Sequence, residues 1–185
     1  MLRWILYGVP ALDSLHRACN RFGPGRLPKA DKPPIGAGYA AASAAAVASI
    51  LYGAIMGLGL GPGPAGDGVV HLVFSLFALP FVIPAAFIVG HSIWTVLPSY
   101  SPIIGVFAGF VGVVVTYLVT LILVAVVLVV TAALSLSGAD PNSAALFSVG
   151  LISVAFYLTW WVTIPIGCLS GFLYVRMLES QHSPM

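Results

Sequence analysis

From Pro33 to Val175 the chain carries only two charged side chains, Asp67 and Asp140, in 143 residues. The other ten charges flank that stretch, eight of them before Pro33 and two, Arg176 and Glu179, after it. A soluble surface needs polar cover to stay in water. A surface facing hydrocarbon must shed it, because a charge at mid-bilayer costs roughly 2.5–3.5 kcal/mol even on the mildest scale. The pattern therefore dictates a multi-span membrane protein. Charged residues make up only 6% of the chain, against about a quarter of an average soluble protein. At 185 residues the chain reads as one membrane domain with a short N-terminal extension.

Gly, Pro, Asp and Ser punctuate the apolar region into four runs, at about 38–60, 69–97, 103–136 and 143–177. Each exceeds the ~20 residues that a helix needs to cross a hydrocarbon core of about 30 Å. The last two are long enough to tilt or to project beyond it. No strand-type alternation of polar and apolar residues is present, so the sequence excludes a β-barrel. The expected fold is an all-α, four-transmembrane-helix bundle. Its parts are a basic N-terminal segment at 1–36, a membrane domain at 37–178 and a short tail at 179–185.

Orientation follows from the positive charges. Arg3, Arg17, Arg21, Arg26, Lys29 and Lys32 precede the first run and Arg176 follows the last, while the loops between runs carry no Lys or Arg. The positive-inside bias then places both termini in the cytoplasm, with the plasma membrane as the expected site. Such local basicity does not point to nucleic acid as a partner. The apolar start Met1–Val9 is short, broken by Pro10 and Asp13, and reads as retained rather than as a cleaved signal. Ala11, Leu12, Leu15, Ala18, Cys19 and Phe22 recur at helical spacing, which predicts an amphipathic helix lying on the bilayer interface.

Candidate chemistry is sparse. Asp140-Pro141 and Ser101-Pro102 have the form of a helix N-cap followed by Pro at the first helical position, and Asp67 stands just before the second run. All three, Asp67, Ser101 and Asp140, are expected to be caps rather than ion-binding or catalytic groups. His71 and His91 lie at opposite ends of one run and Cys19 and Cys168 in different elements, so no metal or haem site is expected. No nucleophile–base pair, phosphate-binding loop or catalytic acid pair is visible. The sequence thus predicts neither an enzyme nor a cofactor.

Pro80 and Pro84 in the second run and Pro165 in the fourth remove internal hydrogen bonds, as discontinuous helices at ligand sites do. With His91, Trp160 and Thr163 they form the expected lining of a pore or ligand site, were there one. Trp160 is expected to fill space inside the bundle.

Small residues give the clearest pattern. Ala37, Ala41, Ala45, Ser49, Gly53, Gly57 and Gly61 recur every fourth position, and Gly105/Gly109 and Gly167/Gly171 repeat the GxxxG spacing. Such faces let helix backbones approach closely, where dispersion replaces the missing hydrophobic drive. Ser49, Gly53, Gly57, Gly61, Gly105, Gly109, Gly167 and Gly171 are therefore the expected helix-packing residues. The leading functional expectation is a non-catalytic membrane subunit or oligomerising scaffold. Its partners would be the lipid bilayer and copies of itself or other membrane subunits. The alternative is a small channel or carrier for a neutral or apolar solute, built on the proline-bearing helices.

Overall fold

The computed structural model describes residues 28–29, 32–60, 68–97, 101–134 and 140–182. Every regular element among them is an α-helix: α1 at Pro33–Gly57, α2 at Gly68–Val96, α3 at Pro102–Ala133 and α4 at Pro141–His182. All four are long and apolar enough to span a membrane, giving an all-α four-helix membrane bundle. The amphipathic helix expected at Ala11–Phe22, Asp67 and Gly61 fall outside the described residues.

The helix ends follow from local chemistry. Pro33 and Pro34 occupy the first two positions of α1, where a missing N–H costs nothing, so the helix starts before the expected 38. Its end also comes earlier than expected. Gly59 takes a φ of +69°, Leu60 N–H donates to the Ile55 carbonyl at 3.0 Å, and Gly59 N–H donates to that of Met56. That Schellman arrangement stops α1 at Gly57. At the start of α4, Asn142 and Ser143 N–H donate to Asp140 Oδ2 at 3.1 and 3.2 Å, so the aspartate caps the helix. Ser101 differs from expectation: its side chain makes no cap hydrogen bond. The α3 start rests on Pro102 and on the Ser101 carbonyl, which accepts Gly105 N–H at 3.0 Å.

α4 continues past the expected 177 to His182, a helix of 42 residues. At ~1.5 Å per residue it is about twice as long as the hydrocarbon core is thick. Arg176 and Glu179 form an i,i+3 pair at 3.4 Å on its last turns.

The bundle is assembled from two hairpins, and small residues set their intimacy. In the first, a Cβ placed on Gly90 of α2 would stand 2.7 Å from Ala41 Cβ and 2.8 Å from the Ala37 carbonyl of α1. Further along, Gly53 is buried against Ser75 and Leu72. In the second, each step of four along α3 meets a step of four back along α4. Gly105 faces Gly171, Gly109 faces Gly167, and two turns on Tyr117 reaches Thr159. Only glycine permits backbones that close, and the contact supplies dispersion in a solvent that offers no hydrophobic drive. The α2–α3 and α1–α4 seams between hairpins are looser.

Large apolar side chains turn outward all round. Phe77 is 73% exposed, Tyr157 76% and Ile103 80%, a surface that lipid covers and water would not tolerate.

Candidate functional site

Where the hairpins meet, their facing sides do not fill the space. The cause is the short side chains of α1: Ala40, Ala41, Ala44, Ala45, Ala48 and Ser49 turn toward the opposite hairpin and reach no further than a methyl or hydroxyl. What remains is a cavity of about 970 Å³ walled by all four helices. At the ~30 Å³ that one water occupies in the liquid, it has room for roughly thirty non-hydrogen atoms.

Aromatic contacts join the two hairpins at two levels along the cavity. Near the α1–α2 turn, Tyr52 of α1 meets Trp161 of α4 edge-on at 6.5 Å, within a core cluster that includes Met56 and Val162. Tyr52 Oη also bonds His71 Nδ1 of α2 at 3.2 Å. At the far end Trp94 of α2 packs on Tyr174 of α4 at 5.0 Å, and Tyr174 O–H donates to the Pro33 carbonyl.

Among the described residues no Asp, Glu, Lys or Arg lines the cavity, and none form a group of three or more His, Cys, Asp or Glu able to bind a metal. Its polar atoms are mostly committed elsewhere. Thr116 O–H donates to the Gly112 carbonyl, Thr159 O–H to Ala155 and Thr163 O–H to Thr159, all within their own helices. Tyr117 Oη sits between Thr159 and Thr163 of the opposite helix, 3.3 Å from the latter. Thr120 is different. It is 5% exposed, it lines the cavity, and its Oγ1 has no hydrogen-bond partner. A buried hydroxyl left unpaired costs about 1–3 kcal/mol.

Of the six residues expected to line a pore or ligand site, only Thr163 does so. Pro80, Pro84, Pro165 and Trp160 are exposed on the outside of the bundle. The proline rings are apolar and α2 and α4 run continuously through them, so the rings themselves suit contact with lipid. Trp160 is 49% exposed and does not fill the interior. Its neighbour Trp161, one helical step round, does, with its indole N–H donating to the Leu158 carbonyl of its own helix at 2.7 Å. His91 stacks on Phe87 away from the cavity, and its Nδ1 has no partner.

Among the small residues, Gly53, Gly105, Gly109, Gly167 and Gly171 stand in helix contacts, Ser49 lines the cavity, and Gly57 is exposed. The sequence reading passed over Thr116, Tyr117 and Thr120. They are the only hydroxyl-bearing residues between Ile103 and Val130, which was a usable signal, since polar groups in so apolar a span face the bundle interior.

Fold and cavity together define a multi-pass helical membrane protein with a half-open cavity between its hairpins, lined by no charged side chain among the described residues. No family model, curated protein or solved structure matches the chain.

Proposed function

We propose that this protein binds, and carries within the bilayer, a neutral and largely apolar molecule held between its two hairpins. One observation carries the reading: a cavity of about 970 Å³ reached by all four helices and lined, among the described residues, by no charged side chain. Binding sites for small molecules are of this size and chemistry, mostly apolar with few polar groups. An ion pathway would need intramembrane charge, and a water channel a polar lining. The prolines play no direct part, since none of the three lines the cavity.

A second reading keeps the protein as a non-catalytic subunit that packs against copies of itself or other membrane proteins. It is favoured by Gly57, which is exposed. Most of the small-residue face of α1 is engaged inside the chain, on α2 or along the cavity wall, which leaves this reading little surface. In either case the Lys/Arg distribution supports both termini in the cytoplasm and a plasma-membrane location.

Tritiated hexadecane, retained by protein in nanodiscs over empty discs, tests the carrier reading. Wild type should show saturable retention, and Ala44→Phe, which puts a ring into the chamber, should abolish it. Leu146→Phe, on a residue 75% exposed to lipid, should not. Retention unaltered by Ala44→Phe would sink the reading.

A further inference from the structure

Exposure is unevenly distributed around the cavity. Every described lining residue that is exposed falls within 70–77 of α2, at Val127 of α3 or within 147–154 of α4, and α1 supplies none. These stretches adjoin the α1–α2 and α3–α4 turns, at the end of the bundle remote from the termini. Toward the termini the lining is closed: Ala37, Ala86, Val89, Gly90 and Ala108 are all buried, and Trp94 packs on Tyr174. Among the described residues the cavity is therefore blind, with one mouth. That mouth opens on hydrocarbon. Phe77 stands about 14 Å along α2 from Gly68, and Val154 about 20 Å along α4 from Pro141, at ~1.5 Å per residue. Both side chains are turned to the outside at that depth, whereas the polar zone on each side of a bilayer is only about 5–8 Å deep. The rim is thus continuous with the apolar coat that lipid covers.

Resting on the carrier reading above, we propose that the cavity takes the hydrocarbon chain of a bilayer lipid, inserted sideways through this mouth from the leaflet remote from the termini. On the orientation proposed above, that is the outer leaflet. Val70 and His71 line the cavity within the first turn of α2, so the mouth extends up to headgroup level. The lipid head stays outside while the chain lies within. Such an occupant asks for no charge in the wall, and the described lining holds none. Its chain exchanges lipid neighbours for Ala, Val, Leu and Phe side chains, which are no less apolar. A solute from water has no equivalent route, because the mouth opens on hydrocarbon. A blind cavity also returns the chain to the leaflet that supplied it, so the lipid is held and handed on within one leaflet rather than flipped.

Phosphatidylcholine with a diazirine at the end of one acyl chain, photolysed in proteoliposomes, tests this by the residues it labels. In wild type the label should reach Ala86, Val89 and Ala108, which are buried from bulk lipid, as well as the outer coat. Gly150→Trp adds a ring at the mouth, where a new Cβ meets nothing within 4 Å. It should remove label from those three positions and leave the coat labelled. Leu146→Trp, on an exposed residue that does not line the cavity, should change neither. Lysophosphatidylcholine carrying the same diazirine, added only outside sealed vesicles, should label the three positions only in protein whose α1–α2 and α3–α4 turns face outward. Coat labelling alone in wild type, with hexadecane retention intact, overturns the inference and leaves the carrier reading standing. Interior label that survives Gly150→Trp, or that follows lysolipid added on the side of the termini, overturns it as well. Absence of any saturable hexadecane retention in wild type removes the carrier reading and the inference with it.

Discussion

Gly105→Ala adds one methyl group to the tightest seam in the bundle, and the structure fixes what that methyl meets. It would stand 2.6 Å from the Gly171 carbonyl oxygen and 2.7 Å from Val175 Cγ2. Ordinary contact begins at 3.4 Å, so α3 and α4 must part by about 0.8 Å there. The obstructing oxygen is backbone and cannot rotate aside. A gap of that width forfeits about a quarter to a half of each atom-pair attraction of ~0.1–0.2 kcal/mol. Over roughly forty pairs, the number one buried side chain makes, the loss comes to about 2 kcal/mol. That lies within the ~1–3 kcal/mol typical of overpacked cores. Gly150→Ala is the matched control on the same pair of helices. Nothing lies within 4 Å of its new methyl, so the better helix propensity of alanine should stabilise by up to about 1 kcal/mol. Reversible unfolding by SDS in mixed micelles reads both. The two substitutions should move stability in opposite directions. Equal shifts, or a Gly105→Ala protein as stable as wild type, would refute the claim that backbone contact holds this hairpin.

Two further outcomes follow from the helix ends and the charge pattern. Asp140→Ala should cost about 1 kcal/mol in the same unfolding assay and Asp140→Asn or Ser distinctly less, because those side chains also accept the Asn142 and Ser143 amides. A loss from Asn as large as that from Ala would show that charge, not capping, is what Asp140 supplies. For orientation, cysteine introduced at Ser137 should react with an impermeant maleimide added outside cells, and cysteine at Ser183 should not. The reverse pattern would invert the proposed topology.

The sequence revealed the fold because hydrocarbon imposes a one-dimensional rule: each span must be long, apolar and uncharged, and a linear chain displays that directly. Ends were legible where a residue type dictates its own conformation, as Asp140 does before Pro141. They were missed where a turn competes with a periodic pattern. The small-residue ladder continued by spacing to Gly61, but Gly59 in a left-handed conformation ends the helix at Gly57. Faces were harder than spans. Periodicity shows which residues share a side of a helix, and in a bundle coated with lipid both sides are apolar, so hydropathy does not say which one turns inward. Trp160 and Trp161 differ by one helical step, and only Trp161 turns inward. The prolines suggested a site because they break hydrogen bonds, whereas a cavity arises where side chains are short. The alanines of α1 that create it look in sequence like mere packing residues.

Each hairpin has its own turn, its own register and its own backbone contacts, and the two are joined through the short connection at 97–101. Contacts near in sequence cost little chain entropy to close. α1 and α2 can therefore clasp one another while the second half is still being synthesised. The seams bridging the halves, the sparser ones, cost the least to open. On the carrier reading proposed above, a cargo would not need to thread through a finished wall: it would be enclosed as the two halves swing together, like a page caught in a closing book, and would leave by the same parting.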